Sequence, residues 1–175
     1  MADYPAHLAR ERRLADGRAV VIRPIRGDDE PGEREFFDRL SGESKSLRFL
    51  KFVGSLNEEL IHFFTHIDYE RHMAFVCEAA EGAARRLVGE ARYVANADRR
   101  SCEFGVVIAD DWHKSGIAGL LMEALIRSAR ANGFETMEGM VLRDNHDMLR
   151  FVKALGFEVE PVPLEPTTMR VVKKL

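Results

Sequence analysis

The chain has 175 residues, of which 46% are hydrophobic and 31% are charged, and this composition suits one compact domain with its own core. Its formal net charge of −3 lacks the excess of Lys and Arg that binding to phosphate backbones requires, which argues against nucleic acid as a partner. No uninterrupted apolar run approaches the ~18 residues needed to cross a bilayer, so we expect no membrane partner.

The first 13 residues are rich in charged side chains and no apolar segment follows them, unlike a secretory signal. We therefore expect a cytoplasmic protein that forms a single domain over residues 1–175, with a core over about residues 14–162. Cys77 and Cys102 each lie inside a strand-like segment, which favours buried thiols over a disulfide.

The first third of the chain predicts one strand followed by helices. Val20, Val21 and Ile22 form the apolar centre of the strand, which follows the turn residues Asp16-Gly17. Acidic and hydroxyl residues then stand where helix caps are needed. The predicted elements are a strand over Arg18–Ile25, a helix from Asp28-Asp29 through Leu40, a helix from Ser41 or Ser44 through Leu50, and a third helical stretch over Ser55–His66.

Three strands are predicted next, and short turns separate them. Glu81-Gly82 and Asn96-Ala97-Asp98 are the turn segments, and their brevity favours an antiparallel meander. The three strands are predicted over His72–Ala80, Arg86–Ala95 and Arg100–Ile108.

After Ile108 the apolar spacing changes to that of a helix, which ends at Asn132-Gly133. The order strand, helix, strand over Glu103–Ile108, Gly116–Arg130 and Thr136–Leu142 is a βαβ unit with parallel strands and a right-handed crossover. A helix over Asn145–Leu155 and strands over Phe157–Val162 and Thr168–Lys173 complete the chain. The predicted fold class is α/β, a mixed and mostly antiparallel twisted sheet with a central βαβ unit and flanking helices.

The start of the βαβ helix is a candidate anion site. Free N–H groups of a first helical turn point outward together, and Gly116 lets the backbone approach a phosphate without a Cβ in the way. Ala118 and Gly119 keep the turn small, and Lys114 adds a positive charge. A pyrophosphate fits this pattern, but so does an ordinary capped helix whose small residues pack against the sheet. Neither the P-loop nor the Gly-x-Gly-x-x-Gly pattern occurs.

Residues 113–118, His-Lys-Ser-Gly-Ile-Ala, resemble the Gln/Arg-x-x-Gly-x-Gly/Ala signature of the GNAT superfamily of acetyl-CoA-dependent N-acetyltransferases, with His113 in the Gln/Arg place. Asn145 followed by Gly156-Phe157 resembles the second half of the same site. The resemblance implies the GNAT fold, acetyl-CoA as cosubstrate and no metal. The cofactor-binding residues that it implies are Val106, Val107, Ile108, His113, Lys114, Ser115, Gly116, Ile117, Ala118, Gly119, Asn145 and Leu149.

A narrower resemblance concerns the acceptor. The segments Arg23-Pro24-Ile25-Arg26, Phe37 to Phe49, Ile67 to Arg71 and Cys102 to Val107 are similar to the acetyltransferase domain of bacterial protein lysine acetyltransferases. This likeness extends over about residues 14–162 and implies a protein lysine side chain as the amine that is acetylated.

Acetyl transfer to a lysine, whose ordinary pKa is ~10.4, requires a base that removes a proton. Glu103 is the predicted catalytic residue, because apolar neighbours in its strand would raise its pKa towards the working range. In the lysine acetyltransferases that the chain resembles, the glutamate of the corresponding Glu-Phe segment has this role. The alternative is an exposed or salt-bridged strand glutamate. Val152 stands where many superfamily members carry a tyrosine acid.

Other polar residues favour structural roles. His62 and His66 are four apart on a predicted helix, but no third ligand of matching spacing accompanies them, so we expect no metal site. The segment Asp68 to Arg71 fits an acceptor pocket and an ordinary solvated turn equally well. Asp110 and Asp111 are expected to cap the helix and the turn.

Two other functions fit the same sequence. One is acetylation of a small amine, such as a polyamine or an antibiotic amino group, which would favour a deeper acidic pocket. The other is a non-catalytic acyl-CoA-binding sensor, in which Glu103 transfers no proton.

Overall fold

The computed structural model describes residues 3–49 and 56–175, and it describes the side chains of all of these except residues 46–49. Among the described residues, no helix is both long enough and apolar enough to cross a membrane. The strands are β1 (Arg10–Arg13), β2 (Ala19–Pro24), β3 (His72–Glu81), β4 (Ala84–Ala95), β5 (Ser101–Ile108), β6 (Thr136–Leu142), β7 (Glu158–Val162) and β8 (Glu165–Lys174). The helices are α1 (Glu30–Arg39), α2 (Gly42–Phe49), α3 (Glu58–Thr65), α4 (Ile117–Ala131) and α5 (His146–Ala154).

The strands form one eight-stranded sheet in the order β1-β2-β3-β4-β5-β6-β8-β7. The predicted meander is confirmed, because β3, β4 and β5 pair in antiparallel fashion. The predicted βαβ unit is also confirmed, since β5 and β6 pair in parallel and α4 lies between them in the chain. The α/β fold class with a mostly antiparallel sheet is therefore correct.

The two ends of the sheet differ from the prediction. The edge strand β1 has the sequence Arg-Glu-Arg-Arg, which carries no apolar alternation, and it pairs with β2 from Arg10↔Ile22 to Arg13↔Ala19. Strand β8 begins at Glu165, three residues earlier than predicted, and lies between β6 and β7. The sheet thus continues beyond both limits of the predicted core over residues 14–162.

Capping residues set where the helices begin. Ser41 starts α2, because its Oγ accepts a hydrogen bond from the amide of Ser44 at 3.1 Å. Asn57 caps α3 through its Oδ1, which accepts from the amide of Leu60 at 2.8 Å, so this helix begins later than predicted. The predicted helix residues Leu50 and Ser55 lie outside the described residues.

Apolar side chains cover both faces of the sheet. The larger cluster includes Leu121 and Leu125 of α4, and the smaller one includes Phe36 of α1 and Phe64 of α3. Cys77 and Cys102 are both buried free thiols, as predicted, and burial raises the pKa of each to about 12. The fold therefore has three layers, with the sheet in the middle and helices on each side of it.

The parallel pair at the centre of the sheet separates soon after it forms. Strands β5 and β6 pair only over Ser101–Glu103 and Thr136–Glu138. Beyond these residues, β5 stays paired with β4 as far as Ile108, and β6 stays paired with β8 as far as Leu142. A gap therefore opens between β5 and β6, and it leaves one edge of β5 without a strand partner.

An aromatic ring lies where the two strands part. A Cβ atom added to Gly139 of β6 would lie 2.8 Å from Cε1 of Phe104, so the ring occupies the space that a side chain at this position would need. The same ring packs on Phe157, with ring centroids 5.1 Å apart. Position 139 therefore requires glycine, because the Phe104 ring lies too close to the backbone for any side chain.

Candidate active site

The first turn of α4 presents a group of unpaired amides. Lys114 and Gly116 both have left-handed backbone, with φ of 60° and 90°, and this conformation turns successive N–H groups to one side. Within residues 3–49 and 56–175, the amides of Lys114, Gly116, Ala118 and Gly119 have no hydrogen-bond acceptor. We call these four amides the amide nest. It suits an anion such as a pyrophosphate.

The open edge of β5 supplies further unpaired amides. The amide of Ala109 donates to the carbonyl of Val88 in β4 at 2.8 Å. Because N–H groups alternate between the two edges of a strand, the amides of Val106 and Ile108 point to the opposite edge, where the gap lies. The amide of Val107 points to β4. Of the three predicted β5 residues, two therefore offer amides to a ligand in the gap.

His113 lies between the open strand edge and the amide nest. Its Nε2 is 3.0 Å from the carbonyl oxygen of Ile108, and since a carbonyl only accepts, this nitrogen carries a hydrogen. The His113 ring therefore donates a hydrogen bond to the carbonyl of Ile108, the last residue of β5. Ser115 accepts a long hydrogen bond of 3.5 Å from the amide of Ile117, whose side chain is fully buried.

Two cavities meet at the gap between β5 and β6. The nest cavity, of about 800 Å³, lies over the start of α4, and the splay cavity, of about 390 Å³, lies where the strands separate. The residues that line both cavities are Ser44, Val106, Val107, Ile108, His113, Asn145 and Met148. A ligand bound at the nest can therefore reach along β5 into the splay cavity.

The second predicted half of the site is partly in place. Asn145 caps α5, since its Oδ1 accepts from the amide of Met148 at 3.2 Å, and it lines both cavities. Met148, Leu149 and Phe151 all pack against the large apolar cluster, and Met148 and Phe151 also line the nest cavity. Leu149 lines neither cavity, and its contact with the cofactor stays a prediction.

Glu103 lines the splay cavity, and it is the last residue of β5 that pairs with β6. Its side chain is exposed, so the enclosure by apolar neighbours that the sequence predicted is wrong: the flanking Cys102 and Phe104 face the other side of the sheet. Among the described residues that line this cavity, Glu103 alone carries a carboxylate. No described residue makes a hydrogen bond or an ion pair with it, so the carboxylate is available to a ligand.

A buried charge network forms one wall of the splay cavity. The guanidinium of Arg92 donates from Nε to Glu90 at 2.5 Å, and the two residues are only 4% and 1% exposed. Arg92 also donates to the carbonyl of Phe64, at the end of α3, at 3.2 Å, and to Nε2 of His72 at 2.8 Å. Because Glu90 neutralises Arg92, this wall adds no net charge next to Glu103.

The sequence did not identify several residues that shape the splay cavity. Arg92 of β4, Phe63 and Phe64 of α3 and Met140 of β6 all line it. They come from three separate elements, and no local pattern of residues connects them. By contrast, the segment Asp68 to Arg71 forms a turn in which Oδ1 of Asp68 accepts three backbone N–H bonds, and none of its residues lines the splay cavity.

Asp110 binds the start of α2 instead of capping α4. Its carboxylate accepts hydrogen bonds from the amide of Ser41 at 2.9 Å, from Ser41 Oγ at 2.9 Å and from Ser44 Oγ at 2.8 Å. These groups belong to the start of α2, whereas α4 has Gly116 as its cap. Asp111 instead forms an ion pair with Arg86 at 2.8 Å. Asp110 therefore ties α2 to the loop that carries the amide nest.

The pKa of Asp110 is lowered in the folded chain. Burial alone would raise it, but the hydrogen bonds from Ser41 and Ser44 outweigh burial. We expect Asp110→Asn to lower the free energy of unfolding at pH 7 by about 1 kcal/mol, the typical net contribution of a hydrogen bond, because the amide has no charge and only one acceptor oxygen for these three donors. A lowered pKa stabilises the fold above the ordinary value of 3.8, and this contribution is lost as the pH falls through the folded value.

Urea unfolding at pH 7 and at pH 3 measures this effect, with Asp111→Asn as the matched control. The difference in the free energy of unfolding between the native chain and Asp110→Asn should be smaller at pH 3, because the contribution of the lowered pKa declines as the pH falls below the ordinary value of 3.8. The control should lose less stability, because its ion pair is more exposed. Equal losses in the two variants, or a difference that does not change with pH, would contradict the assignment.

The geometry defines a class of protein. A nest of amides, an open strand edge and the exposed carboxylate of Glu103 follow one another along a single crevice. This arrangement suits an enzyme that binds an extended, phosphorylated cofactor and acts on its far end.

Comparison with known proteins identifies the family. A profile of the Acetyltransferase (GNAT) family matches residues 39–157. A curated acetyltransferase of Pseudomonas aeruginosa is 39% identical over 154 residues, which are 88% of this chain and 83% of that protein. The chain therefore belongs to the GNAT family and is an N-acetyltransferase, as the sequence predicted. Enzymes of this family use acetyl-CoA as the acetyl donor.

Solved structures agree with this assignment. The GNAT domain of S. lividans PAT is 26% identical and superposes with a TM-score of 0.88, covering 99% of this chain and 100% of that chain. A putative acetyltransferase of Salmonella typhimurium, yncA, solved with its cofactor acetyl-CoA, has the same fold. It is 16% identical, with a TM-score of 0.68 over 89% of this chain and 92% of that chain.

Proposed function

We propose that the chain transfers an acetyl group from acetyl-CoA to a protein lysine side chain, with Glu103 as the general base. The observation that carries this proposal is the meeting of the nest cavity and the splay cavity at the open edge of β5. The donor occupies the nest cavity and the gap, and the amine approaches through the splay cavity.

The amide nest fits the pyrophosphate of coenzyme A. Four unpaired N–H groups and the Lys114 ammonium stabilise its negative charge, and Gly116 leaves the backbone accessible. The amides of Val106 and Ile108 hold the arm that extends along β5, and one of them can stabilise the negative charge that develops on the thioester oxygen. The remaining predicted residues line the crevice, as Val107 does, or lie buried beneath it, as Ile117 does.

Acetyl-CoA supplies a thioester whose C–S bond breaks as the amine nitrogen bonds to the acetyl carbon. The amine must first be neutral, so the carboxylate of Glu103 accepts its proton, directly or through one water. The carboxylate of Glu103 supports this role, because no residue among 3–45 and 56–175 competes for it with a side-chain hydrogen bond or ion pair. The leaving thiol has an ordinary pKa near ~8.5, so its departure as a thiolate near neutral pH needs little assistance. Val152, in the position of the tyrosine acid, is fully buried.

The rim of the splay cavity favours a macromolecular acceptor. Phe63 is 49% exposed and Met140 is 38% exposed, and both line this cavity. Exposed apolar side chains around a reaction site suit contact with a protein surface. A polyamine would instead favour several carboxylates, and Glu103 is the one carboxylate among the described lining residues. The sequence resemblance to bacterial protein lysine acetyltransferases supports the same acceptor.

The test measures release of free coenzyme A from acetyl-CoA with two kinds of acceptor. One is a lysate of lysine-containing proteins, and the other is a panel of free polyamines and aminoglycosides at matched amine concentration. We expect faster release with the lysate, and mass spectrometry should locate acetyl groups on lysine side chains. Faster release with a free amine would transfer the proposal to a small-amine acetyltransferase. Acetyl-CoA binding with no release in either mixture would support the sensor.

A further inference from the structure

Three potential metal ligands meet on the outer side of α1 and α3. Glu30 is the first residue of α1, His62 lies in α3, and His66 follows the last residue of α3. The sequence places the two histidines four residues apart but offers no third ligand near them. The fold supplies that ligand from 32 residues earlier in the chain.

The distances match those of a small coordination sphere. Oε1 of Glu30 lies 3.3 Å from Nδ1 of His62 and 3.4 Å from Nδ1 of His66. The ligand atoms of the three residues all lie within 4.8 Å of one another. In a tetrahedral site with bonds of 2.0–2.1 Å, two ligand atoms are separated by ~3.3 Å. Rotation of the two imidazole rings out of their stacked arrangement would bring all three atoms onto one ion.

The two imidazole rings are stacked on each other. They stack with centroids 3.8 Å apart and an angle of 18° between their planes, and both present Nδ1 to the same carboxylate oxygen. The amide of His66 donates to the carbonyl of His62 at 2.8 Å, which fixes the backbone between the rings. Histidines four apart on one helical face are a well-known pair of zinc ligands.

Neighbouring residues restrict the ring of His66 further. A Cβ atom on Gly27 would lie 2.8 Å from its Nε2, so only glycine leaves room for the ring in this position. Oγ1 of Thr65 lies 2.9 Å from the carbonyl oxygen of Ile61 and 3.0 Å from Nδ1 of His66. A bound ion would replace the hydrogen bond between Thr65 and Nδ1 of His66.

From this geometry we infer that Glu30, His62 and His66 bind a divalent transition-metal ion of the Zn²⁺ type, outside the active site. Two imidazoles and one carboxylate select zinc, cobalt, nickel or copper rather than magnesium or calcium, which prefer oxygen ligands alone. Water completes the coordination, because all three side chains are partly or largely exposed.

The ion would join the end of α3 to the start of α1. Helix α3 also carries Phe63 and Phe64, which line the splay cavity. The carbonyl of Phe64 accepts a hydrogen bond from the guanidinium of Arg92. An ion at this site therefore stabilises one wall of that cavity without contacting Glu103. The expected effect is greater thermal stability of the whole chain.

The test is a titration of the full chain, prepared without a polyhistidine tag and stripped of metal, with Zn²⁺ by calorimetry and with Co²⁺ by visible absorption. We expect one saturable site per chain, a rise in melting temperature and the strong absorption bands of low-coordinate cobalt. His66→Ala and Glu30→Gln should each weaken Zn²⁺ binding by more than about tenfold. His146→Ala, which removes an exposed histidine on α5, should bind like the native chain.

Acetyl-CoA binding by each variant, measured without metal, verifies that its fold is intact. The inference is overturned if Zn²⁺ shows no saturable one-to-one binding. It is equally overturned if His66→Ala and Glu30→Gln keep the native affinity, or if His146→Ala loses as much affinity as they do. Because all these readouts are independent of turnover, they stand apart from the proposed acetyl transfer.

Discussion

Glu103→Gln is expected to lower kcat/KM for the amine acceptor by ~10²-fold or more, the usual loss when a general base is removed. The amide has nearly the same shape as the carboxylate but cannot accept the proton of the attacking ammonium. Since Glu103 makes no contact with the amide nest, binding of acetyl-CoA should be unchanged. Steady-state kinetics and calorimetric titration with acetyl-CoA measure the two quantities separately.

The pH dependence distinguishes a base from a merely structural glutamate. Between pH 7 and pH 9 the neutral fraction of an ordinary lysine rises ~10²-fold, so a variant without a base should recover much of its rate at high pH. Glu138→Gln is the matched control: it neighbours Glu103 in the register, but its carboxylate already accepts from Asn96 and Arg170, each at 2.7 Å. Equal losses in both variants, or no recovery at high pH, would argue against Glu103 as the base.

Gly116→Ala is expected to weaken acetyl-CoA binding by roughly tenfold and to destabilise the fold by about 1 kcal/mol. The backbone at this position has φ of 90°, which an L-residue adopts only with strain. The space beside it is open, so the stability loss comes from the backbone rather than from a clash. The new methyl group would enter this open space beside the amide nest and hinder the approach of the pyrophosphate.

Gly133→Ala is the matched control at the other end of α4. Gly133 has φ of 81° and open space beside it, so its substitution carries the same kind of backbone strain far from the amide nest. Urea unfolding should show similar losses of stability for both variants, whereas only Gly116→Ala should lose affinity for acetyl-CoA. If the two variants bind acetyl-CoA equally, the start of α4 does not hold the cofactor.

Most secondary structure could be predicted from the sequence, because local patterns encode it. The strands β3, β4 and β5 have short turn segments between them, and α4 has a clear apolar stripe that ends at Asn132-Gly133. Strand β1 was missed because its four side chains are all charged and only its backbone pairs with β2. The position of β8 between β6 and β7 depends on backbone pairing with two strands, which no side-chain pattern records.

Some residues of the candidate site could likewise be predicted from the sequence, and others could not. The helix start from His113 to Gly119 and the glutamate at position 103 lie in one continuous segment, so their spacing indicated both. The gap between β5 and β6 requires Phe104 to lie over Gly139, from a strand on the far side of α4. Arg92 and Phe63 reach the splay cavity from two further elements.

The sequence by itself determined the α/β class, the meander, the βαβ unit and the glycine turn at the start of α4, because each depends on residues close together in the chain. Only the tertiary structure decided that Glu103 is exposed and has no partner in the part of the chain that the structure describes, that Asp110 binds the start of α2, and that Glu30 stands beside His62 and His66. The physical reason is distance along the chain. Burial, ion pairing and coordination depend on groups that meet only when separate elements pack together.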